Sequence, residues 1–224
     1  PEVRDHWVNS QLIGVLMDNM GPSLLAAVLS LPVLVYLMAG QSNTIALVVW
    51  SVLMVAMLVL RYRLIGIYRL RHDSLEGPQR MAFVQRYRWS WTAMALLWGG
   101  PVLLSYQHST QATQFVCGLV VLGQGLLTLT AFSAYLPVFR QYANALILSV
   151  FVGLAWNTLL KLHRPEAVQI GLVLMALLFV FWGLLLMAGR RLHEVEKSPV
   201  LIEQRLVAMR QGRGRDSHAV LLSR

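Results

Sequence analysis

Side chains that commonly carry out chemistry in membrane proteins are sparse in this 224-residue chain. The histidines all fall in expected loops or tails, so no two of them face each other across a helical bundle as haem ligation requires. Cys117 is the only cysteine, which excludes an internal disulfide and any CxxC redox or zinc motif. We therefore expect no metal and no cofactor. The histidines are His6, His72, His108, His163, His193 and His218.

Charged groups that couple transport to ions or protons are also missing from the expected spans. Between the expected helix ends there is no Asp, Glu or Lys, the residues that usually mark proton relays and ion pathways. No cluster of carboxylate, histidine or cysteine side chains faces the bilayer, so a lipid-modifying enzyme is disfavoured as well. The sequence predicts a chain without catalytic activity of its own, and it disfavours a small transporter, which would show paired broken helices in an internal repeat.

Uncharged polar and aromatic side chains are the remaining candidates for ligand contact. Gln124 lies in the run GLVVLGQGLLTLT, among glycines that allow helices to approach closely. Its amide could form an interhelical hydrogen bond, or it could line a ligand pocket, and both interpretations remain open. The residues predicted to contact a ligand are Trp98, Gln124 and Asn144.

A deformable element is predicted directly after Trp98. Gly99, Gly100 and Pro101 should kink or locally open the helix, because proline removes one backbone hydrogen bond and glycine weakens the preceding turn. A kink beside an aromatic side chain can form a pocket, and it is equally a common packing feature.

The composition places these residues in a membrane protein. Hydrophobic residues make up 57% of the chain and charged residues only 13%, with a mean hydropathy of +0.58. A helix needs about 20 apolar residues to cross a hydrocarbon core, and six such runs are present. We predict an all-α polytopic membrane protein with six transmembrane helices arranged as three hairpins, near residues 22–40, 44–60, 89–106, 115–136, 143–160 and 168–188.

The net charge of +9 indicates how the chain is oriented in the membrane and is not taken as a sign of nucleic-acid binding. All basic residues except Lys161 and Arg164 fall on one side of the predicted spans, including the arginine-rich loop 61–88. The positive-inside rule then makes both termini cytoplasmic and favours contact with anionic lipids. We expect a multi-pass protein of the bacterial inner membrane, divided into an N-terminal cytoplasmic or interfacial segment (1–21), a six-helix domain (22–188) and a signalling-type helix with a basic tail (189–224).

The stretch SAYLPVFRQY, residues 133–142, is predicted to contain the end of span four at 136 and a tight cytoplasmic turn at 137–142 that leads to span five. Pro137 should stop the preceding helix, and Arg140 should anchor the turn at the headgroups. Phe139 is expected to join an interfacial aromatic belt with Tyr135 and Tyr142. Where span six leaves the membrane, the pair Arg190 and Arg191 should fix its depth.

A heptad pattern follows span six. Residues 192, 195, 202, 206 and 209 occupy a and d positions, with Pro199 at the remaining a position. Ser198–Pro199 is expected to break the helix, and a new helix near 199–211 would form a short parallel coiled coil. An amphipathic helix lying on the anionic leaflet is the alternative.

Four short motifs, taken together, resemble the six-span N-terminal input regions of bacterial sensor histidine kinases and of diguanylate cyclases with GGDEF or EAL output. They are RYRWSW at 86–91, LLWGG at 96–100, SAYLPVF at 133–139 and GRRLHEVE at 189–196. This resemblance to membrane-associated sensor domains covers residues 12–196. It implies a homodimeric sensory module that passes a lipophilic or small-molecule signal to a cytoplasmic output domain.

The chain departs from that family in one respect. It contains no phosphoacceptor histidine helix, no ATP-binding glycine motif and no GGDEF or EAL sequence. The output domain is therefore expected beyond these residues or on a partner. The alternative is a non-catalytic accessory or assembly subunit of a larger membrane complex, which would use its aromatics and glycines for helix contacts.

Overall fold

The computed structural model describes the backbone of residues 2–71, 77–105 and 109–222, and the side chains of 11–71, 77–105 and 109–198. Every element in these ranges is helical, which confirms the all-α prediction. The helices are α1 (Glu2–Met38), α2 (Thr44–Arg71), α3 (Gly77–Trp98), α4 (Gly100–Ser105), α5 (Gln111–Phe132), α6 (Leu136–Leu160) and α7 (Pro165–Leu222).

Within the described chain, five helices are long and apolar enough to cross a membrane. They are α1 from Gln11, α2, α5, α6 and α7 as far as Ser198. The membrane-protein prediction therefore agrees with the fold, whereas the count of six spans is not confirmed. The predicted third span corresponds to α3 and α4, which do not form one uninterrupted apolar helix, because α3 begins with charged turns and ends at the break before α4.

The predicted kink after Trp98 is present, since α3 ends there and α4 begins at Gly100. Pro101 has no N–H, so it cannot donate to the carbonyl of Leu97 four residues earlier. That carbonyl instead accepts a hydrogen bond of 2.8 Å from the indole nitrogen of Trp50 on α2. A side chain of a neighbouring helix thus satisfies the backbone group that the proline leaves free, as a membrane interior requires.

Close helix contacts explain why both residues at the break are glycines. A Cβ atom at Gly99 would lie 2.8 Å from the backbone carbonyl carbon of Ser149 on α6, and one at Gly100 would lie 2.5 Å from Cδ1 of Trp50. Either side chain would collide with its neighbour. Because both glycines lack a side chain, the break can pack directly against α6 and α2.

Two helices organise the packing of the others. α1 packs against α2, α3 and α5, whereas α6 packs against α3, α4 and α7. At one end of the bundle, the amide N–H of Thr110 donates to Oε1 of Gln41 at 3.1 Å. We call the other end, where Arg61 of α2 lies over Phe132 and the α5–α6 turn contacts residues 189–196 of α7, the basic end.

Three predicted boundaries are wrong because helices continue beyond the apolar runs. The expected loop 61–88 is mostly helix, since α2 extends to Arg71 and α3 begins at Gly77, and α1 has no boundary at residue 21. Charged side chains on a helix can reach the headgroups while the backbone keeps its hydrogen bonds. The apolar stretch of α1 consequently includes the exposed Asp18, contrary to the expectation that no acidic residue lies between the helix ends.

The predicted helix break at Ser198–Pro199 is also absent, because α7 is continuous from Pro165 to Leu222. A proline inside a helix removes one hydrogen bond and can kink the helix without ending it. Ser198 is itself bound within the helix, where its hydroxyl donates to the carbonyl of Glu194 at 2.9 Å. The heptad side chains at 202, 206 and 209 lie outside the described side chains.

Candidate functional site

The α5–α6 turn is bound directly to the far part of α7. The hydroxyl of Ser133 donates to Oε1 of Glu196 at 3.1 Å. Nδ1 of His193 lies 3.1 Å from the carbonyl oxygens of both Ser133 and Ala134. Because carbonyl oxygens only accept, Nδ1 must carry the proton in these contacts. One face of α7 therefore holds this turn through three polar contacts.

Local sequence gives the turn a defined shape. α5 ends at Phe132, and the amide N–H of Ser133 still donates to the carbonyl of Leu129 at 3.3 Å. Pro137 occupies the first turn of α6, where its missing N–H costs nothing and its fixed φ suits a helix. The turn is therefore shorter than predicted, and residues 137–142 already belong to α6.

Phe139 lies against the backbone of α7 instead of at the interface. Its ring is fully buried, and a Cβ atom at Gly189 would lie 2.9 Å from its Cδ1 atom. Tyr142 is also buried, so the prediction that Phe139 and Tyr142 belong to an interfacial aromatic belt is wrong, whereas Tyr135 is partly exposed and its place in such a belt stays a prediction. The reason is helical geometry, because positions 139 and 142 point to the same face of α6 as other core residues of that helix.

The three arginines predicted near this site are exposed. Arg140 is exposed on α6, and Arg190 and Arg191 directly follow the buried Gly189 on α7. Their exposure is compatible with the predicted anchoring at headgroups. The same positions place them beside the contacts that the turn makes with α7.

Arg61 was missed as a site residue because it was counted among the loop arginines. The structure buries it at the basic end, with its guanidinium carbon 5.4 Å from the centre of the Phe132 ring. Phe132 in turn stacks on Tyr142 at a centroid distance of 4.8 Å. The burial of Arg61 could have been predicted from helical spacing. Arg61 falls on the same helical stripe as the buried α2 residues Leu47, Trp50, Met54, Leu58 and Tyr68.

The three residues predicted to contact a ligand do not form one site. Trp98 is fully buried at the end of α3. Gln124 donates from Nε2 to the hydroxyl of Ser30 at 3.3 Å, which joins α5 to α1. Asn144 accepts a hydrogen bond of 2.9 Å from the indole nitrogen of Trp182 and is exposed on the bundle surface. Gln124 thus makes the interhelical hydrogen bond that was the alternative interpretation for it, and Asn144 makes one to α7.

An apolar cavity lies elsewhere, between α4, α5, α6 and α7. Its volume is about 290 Å³, and its walls include Val102, Val121, Leu146, Leu178 and Phe181. A neighbouring groove of about 400 Å³ shares Leu178 and is lined by Asn144 and Trp182. Such walls suit a hydrocarbon or another lipophilic group and provide few polar contacts.

The side chains described at 11–71, 77–105 and 109–198 contain no group of three or more histidine, cysteine or acidic residues placed to hold a metal ion. Cys117 is buried and free. A comparison with known proteins gives no assignment, because no protein-family model, curated protein or solved structure matches this chain. What the chain does must therefore be inferred from its own residues and contacts.

Proposed function

We propose that this chain is the membrane-embedded sensory and dimerisation module of a bacterial signalling protein. Its role is to convert a lipophilic or small-molecule signal into a shift of α7, which passes the shift to a cytoplasmic output domain. The observation that carries the proposal is the continuity of α7. One helix, Pro165–Leu222, both packs in the bundle and extends well beyond the α5–α6 turn.

Two further features support a role for α7 as the transmitting element. The α5–α6 turn is attached to it at residues 189–196, so a change in α5 or α6 must either move α7 or break those contacts. The apolar cavity also lies between α7 and the helices α4–α6. A ligand that prefers one packing of these helices would shift the population of α7 positions.

The exposed outer face of α7 supports the proposed dimerisation. Leu192 and Val195 are 37% and 67% exposed, although they follow the arginine pair that should mark the end of the membrane span. They occupy the first a and d positions of the predicted heptads. Exposed apolar side chains at this spacing are typical of a parallel coiled coil.

The test is the mass and composition of the native complex, purified from its own membranes in mild detergent. A homodimer that carries kinase or cyclase activity in the same polypeptide, or in a stoichiometric partner, is the expected result. A monomer that copurifies with unrelated membrane subunits would instead support the accessory-subunit alternative, and the contacts around α7 would then be assembly contacts.

A further inference from the structure

Arg61 is a buried arginine whose hydrogen-bonding capacity is largely unused. It is 3% exposed, and within the described part of the chain its Nε and Nη2 atoms have no hydrogen-bond partner. Neither atom therefore meets a carboxylate oxygen. A buried charge is stable only when an opposite charge or hydrogen-bond acceptors compensate for its lost hydration. In a membrane protein, such a residue usually marks a functional site.

The surroundings of Arg61 supply only partial compensation. The Phe132 ring attracts the guanidinium through its π face but accepts no conventional hydrogen bond from Nε or Nη2. Arg61 also lines a void of about 10 Å³ between α1, α2 and α3. That volume is at the lower limit for one water molecule. The other residues that line the void are Met17, Met20, Leu64, Ile65, Phe83, Tyr87 and Trp91.

The depth of Arg61 indicates which anions can reach it. About 26 Å of helix separates it from Thr44 at the start of α2, by the rise of an α-helix. The hydrocarbon core is roughly 30 Å thick, so Arg61 lies near the headgroups of the leaflet at the basic end. Met17 and Met20 form one wall of the void, and methionine side chains rearrange easily.

We propose that Arg61 anchors a binding site for a phosphate or carboxylate group, which its guanidinium holds through the donors at Nε and Nη2. These two donors suit bidentate recognition of either group. The anion enters by displacing Met17 and Met20, which widens the space between α1 and α3. The charged group is either the head of an anionic lipid or a soluble anion.

The consequence for α7 rests on the proposed function. Arg61 contacts Phe132, and the next residue, Ser133, is bound to Glu196. An anion that draws the guanidinium away from Phe132 therefore acts on the residue adjoining the α7 contact. Anion binding and its transmission are separate claims, and they are measured separately.

The binding test compares the full chain in nanodiscs of phosphatidylcholine with and without phosphatidylglycerol, using native mass spectrometry to detect retained lipid. The wild type should retain phosphatidylglycerol, and Arg61→Met should weaken retention by about tenfold or more, because a charged hydrogen-bonding partner is lost. Arg63→Met is the matched control, since Arg63 is an exposed arginine on the same helix. It should retain the lipid as the wild type does.

A second experiment distinguishes an anionic lipid from a soluble anion as the source of the bound group. Inorganic phosphate is added to the chain in phosphatidylcholine nanodiscs, and the unfolding midpoint is measured. A rise that Arg61→Met abolishes, without selective lipid retention, identifies a soluble anion. If Arg61→Met and the wild type behave alike toward both probes, the proposal is overturned and Arg61 holds at most a buried water.

The same variant also tests whether Arg61 has only a structural role. Without an anion, Arg61→Met should keep or raise the unfolding midpoint, because it removes a buried charge whose Nε and Nη2 atoms have no hydrogen-bond partner in the described part of the chain. A lower midpoint in pure phosphatidylcholine would overturn the proposal in favour of a packing role against Phe132. Normal anion binding with no effect on output activity would contradict only the proposed transmission through α7.

Discussion

The hydroxyl of Ser133 donates to Oε1 of Glu196 at 3.1 Å, although the two residues are far apart in the sequence. This bond joins the α5–α6 turn to the part of α7 that follows Arg190 and Arg191. Nδ1 of His193 reinforces it by contacting the carbonyl of the same serine at 3.1 Å. Two of the three polar contacts between the turn and α7 are therefore made by Ser133.

Ser133→Ala should lower the free energy of unfolding by about 1–2 kcal/mol, because a hydrogen bond to a charged group is lost. It should also weaken the response of the output domain to its signal. Thr130→Ala is the control, since the exposed Thr130 bonds only to the carbonyl of Leu127 within its own helix. The measurements are unfolding in micelles and output activity in membranes. Equal behaviour of the two variants would contradict coupling through Ser133.

Gly189→Ala should destabilise the fold by about 1–3 kcal/mol, because the new methyl group would overlap the buried ring of Phe139. Gly183→Ala on the same helix meets nothing within 4 Å and should be neutral or stabilising, since alanine favours helix. Thermal unfolding of both variants checks this contrast. Phe139→Leu in the Gly189→Ala background should recover part of the loss; a lack of recovery would show that the ring is not the obstacle.

Trp50→Phe should cost about 1–2 kcal/mol, because it leaves the carbonyl of Leu97 without its indole donor. In a Pro101→Ala background the same change should cost less, since the alanine supplies an N–H four residues after Leu97. A double-mutant cycle in micelles measures this coupling. Additive losses would mean that the indole contributes through packing alone.

Gln124→Leu and Ser30→Ala should each have a small effect on stability, and their effects should not be additive. Membrane double-mutant cycles assign about 0.6 kcal/mol to an interhelical hydrogen bond of this kind, and the bond here is long at 3.3 Å. Membrane insertion should be unchanged, which expression level and protease protection can check. If Gln124→Leu abolishes the response while Ser30→Ala does not, Gln124 contacts a ligand and not only α1.

Much of the architecture could be predicted from composition and short motifs. The apolar runs identify helices, because an uninterrupted helix is the simplest way to satisfy backbone groups in lipid. The break after Trp98 was also predictable, because proline lacks an N–H at any position in any fold. The start of α6 was placed too late, at residue 143, because Pro137 was interpreted as the end of one helix and it lies in the first turn of the next.

Only the tertiary structure decided which polar residues meet. The sequence indicated that Gln124 and Asn144 need partners, but their partners Ser30 and Trp182 are distant in the chain and belong to other helices. The burial of Arg61 was equally hidden, since an arginine beyond an apolar run looks like a headgroup anchor. Whether Arg61 is buried depends on the helices packed around α2 and not on its neighbours in sequence.

By itself, then, the sequence determined what is local: helix formation, the proline break and the asymmetric distribution of positive charge. These follow from backbone hydrogen bonding and hydration, which act over a few residues. The attachment of Ser133 to Glu196, the close contact of Phe139 with Gly189 and the burial of Arg61 were decided by packing. Packing depends on the relative rotation and depth of separate helices, and no short stretch of sequence specifies either.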